Sequence, residues 1–236
     1  MADAVRARSG FRRVVPRHSV VVRITHWITA FCFIALVISG ANIVISHPRF
    51  YWGETGNVLT PALFQIPIPA SRSSVQTGYS FRLPDQNGWS RSLHFQSAWL
   101  IVFTGLVYAG YSLVSRHLSR DLLPNRSNVL RWRKAMVENT EVYNPIQRLA
   151  YLAVVFALFP LMIWTGLAMS PAVVSAFPGL VTRLGGHQSA RTIHFFTTLL
   201  LFGFFVVHVL MVWRAGFFRR TRAMITGQLG EVGEGR

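Results

Sequence analysis

Four stretches of this chain are almost unbroken runs of apolar residues, and polar, basic or proline-rich sequence separates each from the next. They cover about 24–46, 92–115, 147–170 and 192–213. Each approaches the ~20 residues that a helix needs to cross the hydrocarbon core of a bilayer. Lipid admits only helices and closed barrels, and the strict alternation of a barrel strand is missing from all four. The pattern therefore predicts an all-α integral membrane protein, a four-transmembrane-helix bundle. Pro160 lies near the middle of the third run and predicts a kink there, because proline lacks the amide that a helix interior uses. No tandem repeat of solenoid length is present.

Composition agrees with this pattern. The 236 residues are 51% hydrophobic and only 14% charged, with a mean hydropathy of +0.36, the balance of a membrane protein rather than a soluble domain. A net charge of +16 in a soluble chain would point to nucleic acid, but here the basic residues flank the apolar runs. Of the 24 Lys and Arg, eighteen fall in the N-terminal arm, the second-to-third connection and the tail, counting Arg148 and Arg214 at their edges. The positive-inside rule then puts both termini in the cytoplasm. The expected organisation is a basic cytoplasmic arm (1–23), a membrane domain (24–214) with an extracytoplasmic loop (47–91), and a cytoplasmic tail (215–236). The long Arg-rich arm, followed by a run long enough to span, argues against a cleavable signal peptide. Trp27 and Trp213 fall at the cytoplasmic interface and Trp89 near the opposite one, as an aromatic belt requires.

Two connections carry more than linker chemistry. The extracytoplasmic loop holds Phe50, Tyr51, Trp52, Phe64, Ile66 and Ile68, too apolar for a solvated segment. It either folds back over the helix ends or presents a docking surface to a partner protein. The cytoplasmic segment NVLRWRKAMV reads as a short amphipathic helix on the membrane surface. The sole cysteine, Cys32, excludes an intrachain disulfide, a cysteine-ligated iron–sulfur cluster and a CxxCH covalent haem.

Histidines carry the candidate chemistry. Four of the eight lie inside the spans: His26, His94, His194 and His208. The other four, His18, His47, His117 and His187, sit in flanks or connections and are expected to have no ligand role. A lone membrane histidine is usually a hydrogen-bonded structural residue, but four at consistent depths point to function. His194 and His208 are fourteen residues apart, almost four helical turns, so both project from nearly the same face about 21 Å apart along the axis. Chain order sets the depths: His26 and His208 lie near the cytoplasmic face, His94 and His194 near the outer one. Only two level pairs result, His26 with His208 and His94 with His194, and the third helix acts as a wall. Zinc or copper would need three or four ligands, and no Cys, Asp or Glu in the spans completes such a set. Two facing histidines instead fill the axial positions of haem iron, which predicts two b-type haems.

Small and basic residues surround these positions. Gly40, fourteen residues after His26, falls at the outer level, and Gly203 lies between the two histidines of the last run. Both are expected to make room for a flat macrocycle. Gly105, Gly110 and Gly166 serve either that purpose or ordinary helix packing. An R-x-x-H pattern recurs at Arg23–His26, Arg91–His94 and Arg191–His194. These arginines sit on the histidine face at the membrane boundary, where they pair either with haem propionates or with lipid phosphate.

At these residues the chain resembles the bacterial cytochrome b561 family, which includes the di-haem cytochrome b subunits of nickel–iron hydrogenases and the gamma subunit of formate dehydrogenase. RITHW, YNPIQR, GGHQSARTIHF, FFVVHVLMV and RAMITG are also similar to membrane cytochromes of the thiosulfate-reductase type. The resemblance spans roughly residues 17–227. It implies two haem b groups held in the pairing above. It also implies electron transfer between an extracytoplasmic oxidoreductase, of the molybdopterin type, and membrane quinone (menaquinone or ubiquinone), in the bacterial inner membrane. YNPIQR, residues 143–148, is similar to the family's YNxxQK, so Asn144 matches an amide that contacts quinone, whereas Ile146 stands where formate dehydrogenase has a glycine.

Two other readings compete. One is a stand-alone membrane oxidoreductase passing electrons from a small donor such as superoxide to quinone. The other is a haem-free scaffold or transporter, which predicts a polar midplane path or broken helices. No general acid–base pair or nucleophile is evident in the spans, so the chemistry belongs to cofactors.

Overall fold

The computed structural model describes residues 19–57, 59–67, 87–115 and 150–227. Residues 1–18 of the N-terminal arm, the amphipathic segment at 128–137 and the YNPIQR motif lie outside the described residues. Among the described residues four helices are long and apolar enough to cross a membrane: α1 (Val20–Ser46), α2 (Asn87–Val114), α3 (Ala150–Ala168) and α6 (His187–Arg214). The chain is thus a multi-pass membrane bundle, as its hydropathy predicts. α1, α2 and α6 begin before their apolar runs, because a helix keeps its hydrogen bonds through the polar interface. Ser19 caps α1 by accepting the Val22 amide at 3.3 Å.

The surface is that of a lipid-solvated body. Phe31 is 68% exposed, Phe103 65% and Leu106 67%, while most buried positions of the spans are small or hydroxylic, among them Ser39, Ser97, Thr104, Thr165, Thr197 and Ala168. In lipid there is no hydrophobic gain in turning large side chains inward, and small residues let backbones approach. α1 packs against α2 and α3 packs against α6. The α6 backbone stays apart from those of α1 and α2 along most of its length. The bundle is therefore two helical layers, bridged by side chains.

α3 is irregular where Pro160 predicts it. Residues Val154–Leu158 form a π-helical turn in which the Phe159 amide bonds back to the Val154 carbonyl. Regular helix resumes with Pro160 in its first turn. Proline has no amide to give the carbonyl four residues back, and a wider turn just before it absorbs the mismatch.

At the upper end, defined by the start of α6, the short helices α4 (Pro171–Ala176) and α5 (Gly179–Thr182) join α3 to α6. Ala168, Val181, Leu184 and Ala190 bury themselves there against Trp164, whose indole donates to the Leu180 carbonyl at 3.0 Å. The loop after α1 folds back over this end. Its strands β1 (Arg49–Phe50) and β2 (Phe64–Gln65) pair antiparallel, and Phe50 stacks on Phe64 at 4.6 Å and lies 4.5 Å from Phe195 of α6. The Gly53 carbonyl accepts the Gln188 and Ser189 amides at 3.0 and 3.2 Å, and Glu54 accepts the His187 amide at 3.3 Å. Thr192 donates its hydroxyl to the Tyr51 carbonyl at 2.7 Å. These contacts satisfy amides that the first turn of α6 would leave without partners. Phe50 and Tyr51 are buried by this docking, while Trp52, Leu59 and Leu63 stay exposed.

At the lower end Gly216, with φ 92°, turns the chain into the amphipathic helix α7 (Phe217–Thr226). Arg23 donates to the Ile225 carbonyl at 2.7 Å and the Trp27 indole to the Met224 carbonyl at 3.2 Å. Both described chain ends therefore lie at one end of the bundle.

Gly186 carries the docking of loop on helix. Its φ is 113°, and a Cβ there would sit 2.5 Å from the Gly53 carbonyl group and 2.6 Å from the Glu54 amide. Gly186→Ala is expected to destabilise the upper end by about 2–4 kcal/mol, from left-handed strain plus backbone overlap. Thermal unfolding in detergent checks this, and an unchanged midpoint would refute it.

Candidate functional site

The four span histidines meet as two pairs between the helical layers. His26 of α1 and His208 of α6 have ring centroids 6.3 Å apart with planes tilted by 54°. His94 of α2 and His194 of α6 are also 6.3 Å apart, tilted by 58°. The pairing is the one chain order predicts, because α6 crosses in the direction opposite to α1 and presents both rings on one face. Phe33 of α1 and Phe205 of α6 touch at 5.2 Å, at chain positions between those of the two pairs.

The spacing fits a bis-imidazole metal centre. A metal–nitrogen bond of about 2.0–2.1 Å on each side, plus about 1.1 Å from nitrogen to ring centre, separates two trans imidazole centroids by roughly 6.3 Å. The donor set fits a macrocycle better than a protein-only cage. Among the described residues no group of three or more His, Cys, Asp or Glu is placed to hold a metal ion. Two axial nitrogens are all that a porphyrin leaves for the protein to supply.

The other ring nitrogens are engaged from the flanks. Ser39 Oγ of α1 lies 3.0 Å from His94 Nδ1, and Thr165 Oγ1 of α3 lies 2.9 Å from His194 Nδ1. Tyr151 of α3 places its hydroxyl 3.3 Å from His208 Nδ1, and Phe204 stacks on the His208 ring at 6.0 Å and 21°. Trp27 meets the His26 ring edge-on at 5.4 Å. The third helix is thus more than the wall expected of a helix without histidine. It supplies a hydroxyl to each histidine of α6. Sequence reasoning missed Ser39, Tyr151 and Thr165, although a signal was present: Tyr151 and Thr165 are fourteen residues apart, the same interval as His194 and His208.

The glycines divide. A Cβ on Gly40 would lie 3.5 Å from His94 Cε1, so this glycine sits against the upper pair as its register implies. Gly166 is placed likewise, 3.6 Å from His194 Cε1. Around Gly203, Gly105 and Gly110 a Cβ would meet nothing within 4 Å.

The arginines of the R-x-x-H patterns differ in their surroundings. Arg23 reaches α7, as described above. Arg191 donates to the His47 carbonyl and to Gln188 Oε1 at 3.4 Å, and its guanidinium lies 4.8 Å over the Phe50 ring. Arg91 is exposed. Burial, then the charges of Arg191 and Arg91, hold the His47 imidazole below its usual pKa. The upper level therefore has an electropositive rim. His187, the other described connection histidine, lies 3.5 Å from the Glu54 carboxylate. Asn144 lies outside the described residues.

Known proteins resemble this chain over most of its length. The family described as prokaryotic cytochrome b561 matches residues 17–227. A protein of Azospira oryzae that bears the provisional name protein-methionine-sulfoxide reductase subunit YedZ1 is 28% identical over 198 residues. That match covers 81% of this chain and 87% of the relative.

The contacts of Arg191 predict a structural contribution apart from any cofactor. Arg191→Ala removes a charged hydrogen bond and a cation–π contact that together hold the loop on α6 by about 2 kcal/mol. Limited proteolysis of proteoliposomes is expected to cut within residues 47–67 roughly thirty times faster in the variant. Equal cutting rates would show that Arg191 does not hold the loop.

Proposed function

The chain belongs to the prokaryotic cytochrome b561 family, and we propose that it is a di-haem b-type membrane cytochrome carrying electrons between an extracytoplasmic oxidoreductase and membrane quinone. The observation that carries this reading is the pair of imidazole couples, each with ring centroids 6.3 Å apart, between which a haem iron would be held. His26 and His208 would hold one haem, and His94 and His194 the other. Bound there, haem would supply one-electron carriage at two depths.

The chain's own residues do the rest. They fix four nitrogens at two levels, keep water out with the apolar helix faces, and hold the ring orientations through Ser39, Thr165 and Tyr151. Gly40 leaves room beside His94, and Gly203 keeps α6 free of a side chain between the two levels. Arg91 and Arg191 form a cationic rim suited to the propionates of the upper haem, and Arg23, three residues before His26, serves the lower one. Asn144, which lies outside the described residues, is the proposed quinone contact, from its match to the family's YNxxQK motif.

The proposed orientation puts both termini in the cytoplasm. Its support is the excess of Lys and Arg in the arm, the second-to-third connection and the tail, together with the docking of α7 beside the start of α1. The upper face then looks outward with Trp52, Leu59, Leu63 and Phe177 exposed, an apolar surface for an oxidoreductase subunit of the molybdopterin type. The relative's name, that of a reductase subunit, favours a protein partner over a small diffusible donor.

The test is a reduced-minus-oxidised spectrum of the purified protein with pyridine haemochrome quantitation. Two haem b per chain are expected, falling to about one in His94→Ala and about one in His208→Ala. A missing b-type alpha band, or haem content unchanged by both substitutions, would defeat the reading.

A further inference from the structure

We infer that Ser39 and Thr165 are positioning residues that lock both upper imidazoles in the Nδ1–H tautomer and thereby lower the reduction potential of the upper iron. This rests on the di-haem reading above and deepens it.

Proton counting decides the tautomer. A hydroxyl has one hydrogen, and a backbone carbonyl only accepts. Ser39 Oγ lies 2.7 Å from the Ala35 carbonyl oxygen and 3.3 Å from that of Leu36. Thr165 Oγ1 lies 2.8 Å from the Leu161 carbonyl oxygen and 3.0 Å from that of Met162. Each hydroxyl therefore donates to its own helix, the common back-bond of Ser and Thr. Were the hydrogen turned to the ring instead, two oxygens would face each other at 2.7–2.8 Å with no proton between them. Toward the imidazole each hydroxyl oxygen can only accept. The hydrogen in the contacts of 3.0 and 2.9 Å thus belongs to Nδ1 of His94 and of His194. A neutral ring with Nδ1–H carries its lone pair on Nε2.

Both sites have the same construction. Ser39 is followed by Gly40, whose Cβ would lie 3.5 Å from His94 Cε1. Thr165 is followed by Gly166, whose Cβ would lie 3.6 Å from His194 Cε1. Each upper ring thus rests on a hydroxyl–glycine pair of a neighbouring helix, α1 for His94 and α3 for His194. Ser39 and Thr165 are fully buried, so no water competes for the bond. The lower pair is built otherwise, with a phenol at 3.3 Å from His208 Nδ1 and an aromatic ring stacked on the histidine.

The sign of the effect follows. An imidazole that donates from Nδ1 becomes a more basic ligand. A more basic axial ligand stabilises the ferric over the ferrous state, which lowers the potential. Removing the acceptor raises it.

The experiment is a redox titration of the purified holo-cytochrome at the alpha band, in the wild type and in Thr165→Val, Thr165→Ser and Ser39→Ala. The upper component is assigned by its loss in His94→Ala. Thr165→Val and Ser39→Ala are each expected to raise the upper midpoint, by up to about tenfold in the ferric/ferrous equilibrium, or about 59 mV for one electron. The lower midpoint stays in place and Thr165→Ser keeps the wild-type value. The low-field electron paramagnetic resonance signal of the upper ferric iron shifts as the ring is released. Unshifted potentials and signals in both hydroxyl-deleted variants would overturn the inference, as would Thr165→Ser shifting as far as Thr165→Val. If Thr165→Val loses the upper haem altogether, retention in Thr165→Ser supports the inference and loss in both overturns it. A wild type without b-type haem is a different result, in which the di-haem reading itself fails.

Discussion

Everything in this bundle depends on holding imidazole rings level with one another across a gap between two helical layers. An ionisable side chain inside a bilayer is stable only when its polar atoms are engaged. Here one ring nitrogen of His94, His194 and His208 meets a hydroxyl from a neighbouring helix, and the rings face each other in pairs with equal separation. α6 is common to both pairs, so its axial position and rotation set both sites at once. A slip of one residue along α6 would move both rings by about 1.5 Å and rotate them off the shared face by about 100°.

That dependence explains the effort concentrated at the start of α6. The loop carrying Phe50, Tyr51, Gly53 and Glu54 caps its first turn through backbone and side-chain bonds, and Arg191 and Thr192 bind the loop in return. Gly186 permits the close approach because no Cβ intervenes. His194 lies two turns below this anchor, so the loop is as much a positioning device as a surface. At the other end Arg23 and Trp27 tie α7 to α1 beside His26. The two levels are thus braced from opposite ends, while large apolar residues between them, such as Phe31, Leu200 and Phe202, stay exposed.

The third helix shows how a helix without a ligand still shapes the site. Its hydroxyls at Tyr151 and Thr165 repeat the fourteen-residue interval of α6, so two helices in contact keep the same register over two levels. The π-helical turn at Val154–Leu158 falls between them. It rotates one half of the helix relative to the other, and both hydroxyls nonetheless meet their histidines.

Much of this was legible in the sequence, for identifiable reasons. Four apolar runs are long enough to force helices, because backbone polar groups have no other partner in lipid. Chain direction then fixes which histidines share a depth, so the pairing of His26 with His208 and His94 with His194 needs no coordinates. Gly40 was readable from its fourteen-residue offset to His26. Hydroxyl residues were not, since serine and threonine are common in membrane helices and usually bond only to their own backbone. Whether Ser39 and Thr165 also touch a ring depends on helix rotation and separation, and so does whether Arg191 reaches Phe50 and the His47 carbonyl. Periodicity and depth are properties of one helix crossing one bilayer, and the sequence by itself determined them. Which atoms meet across helices is set by how the two layers pack, and only the tertiary structure decided that.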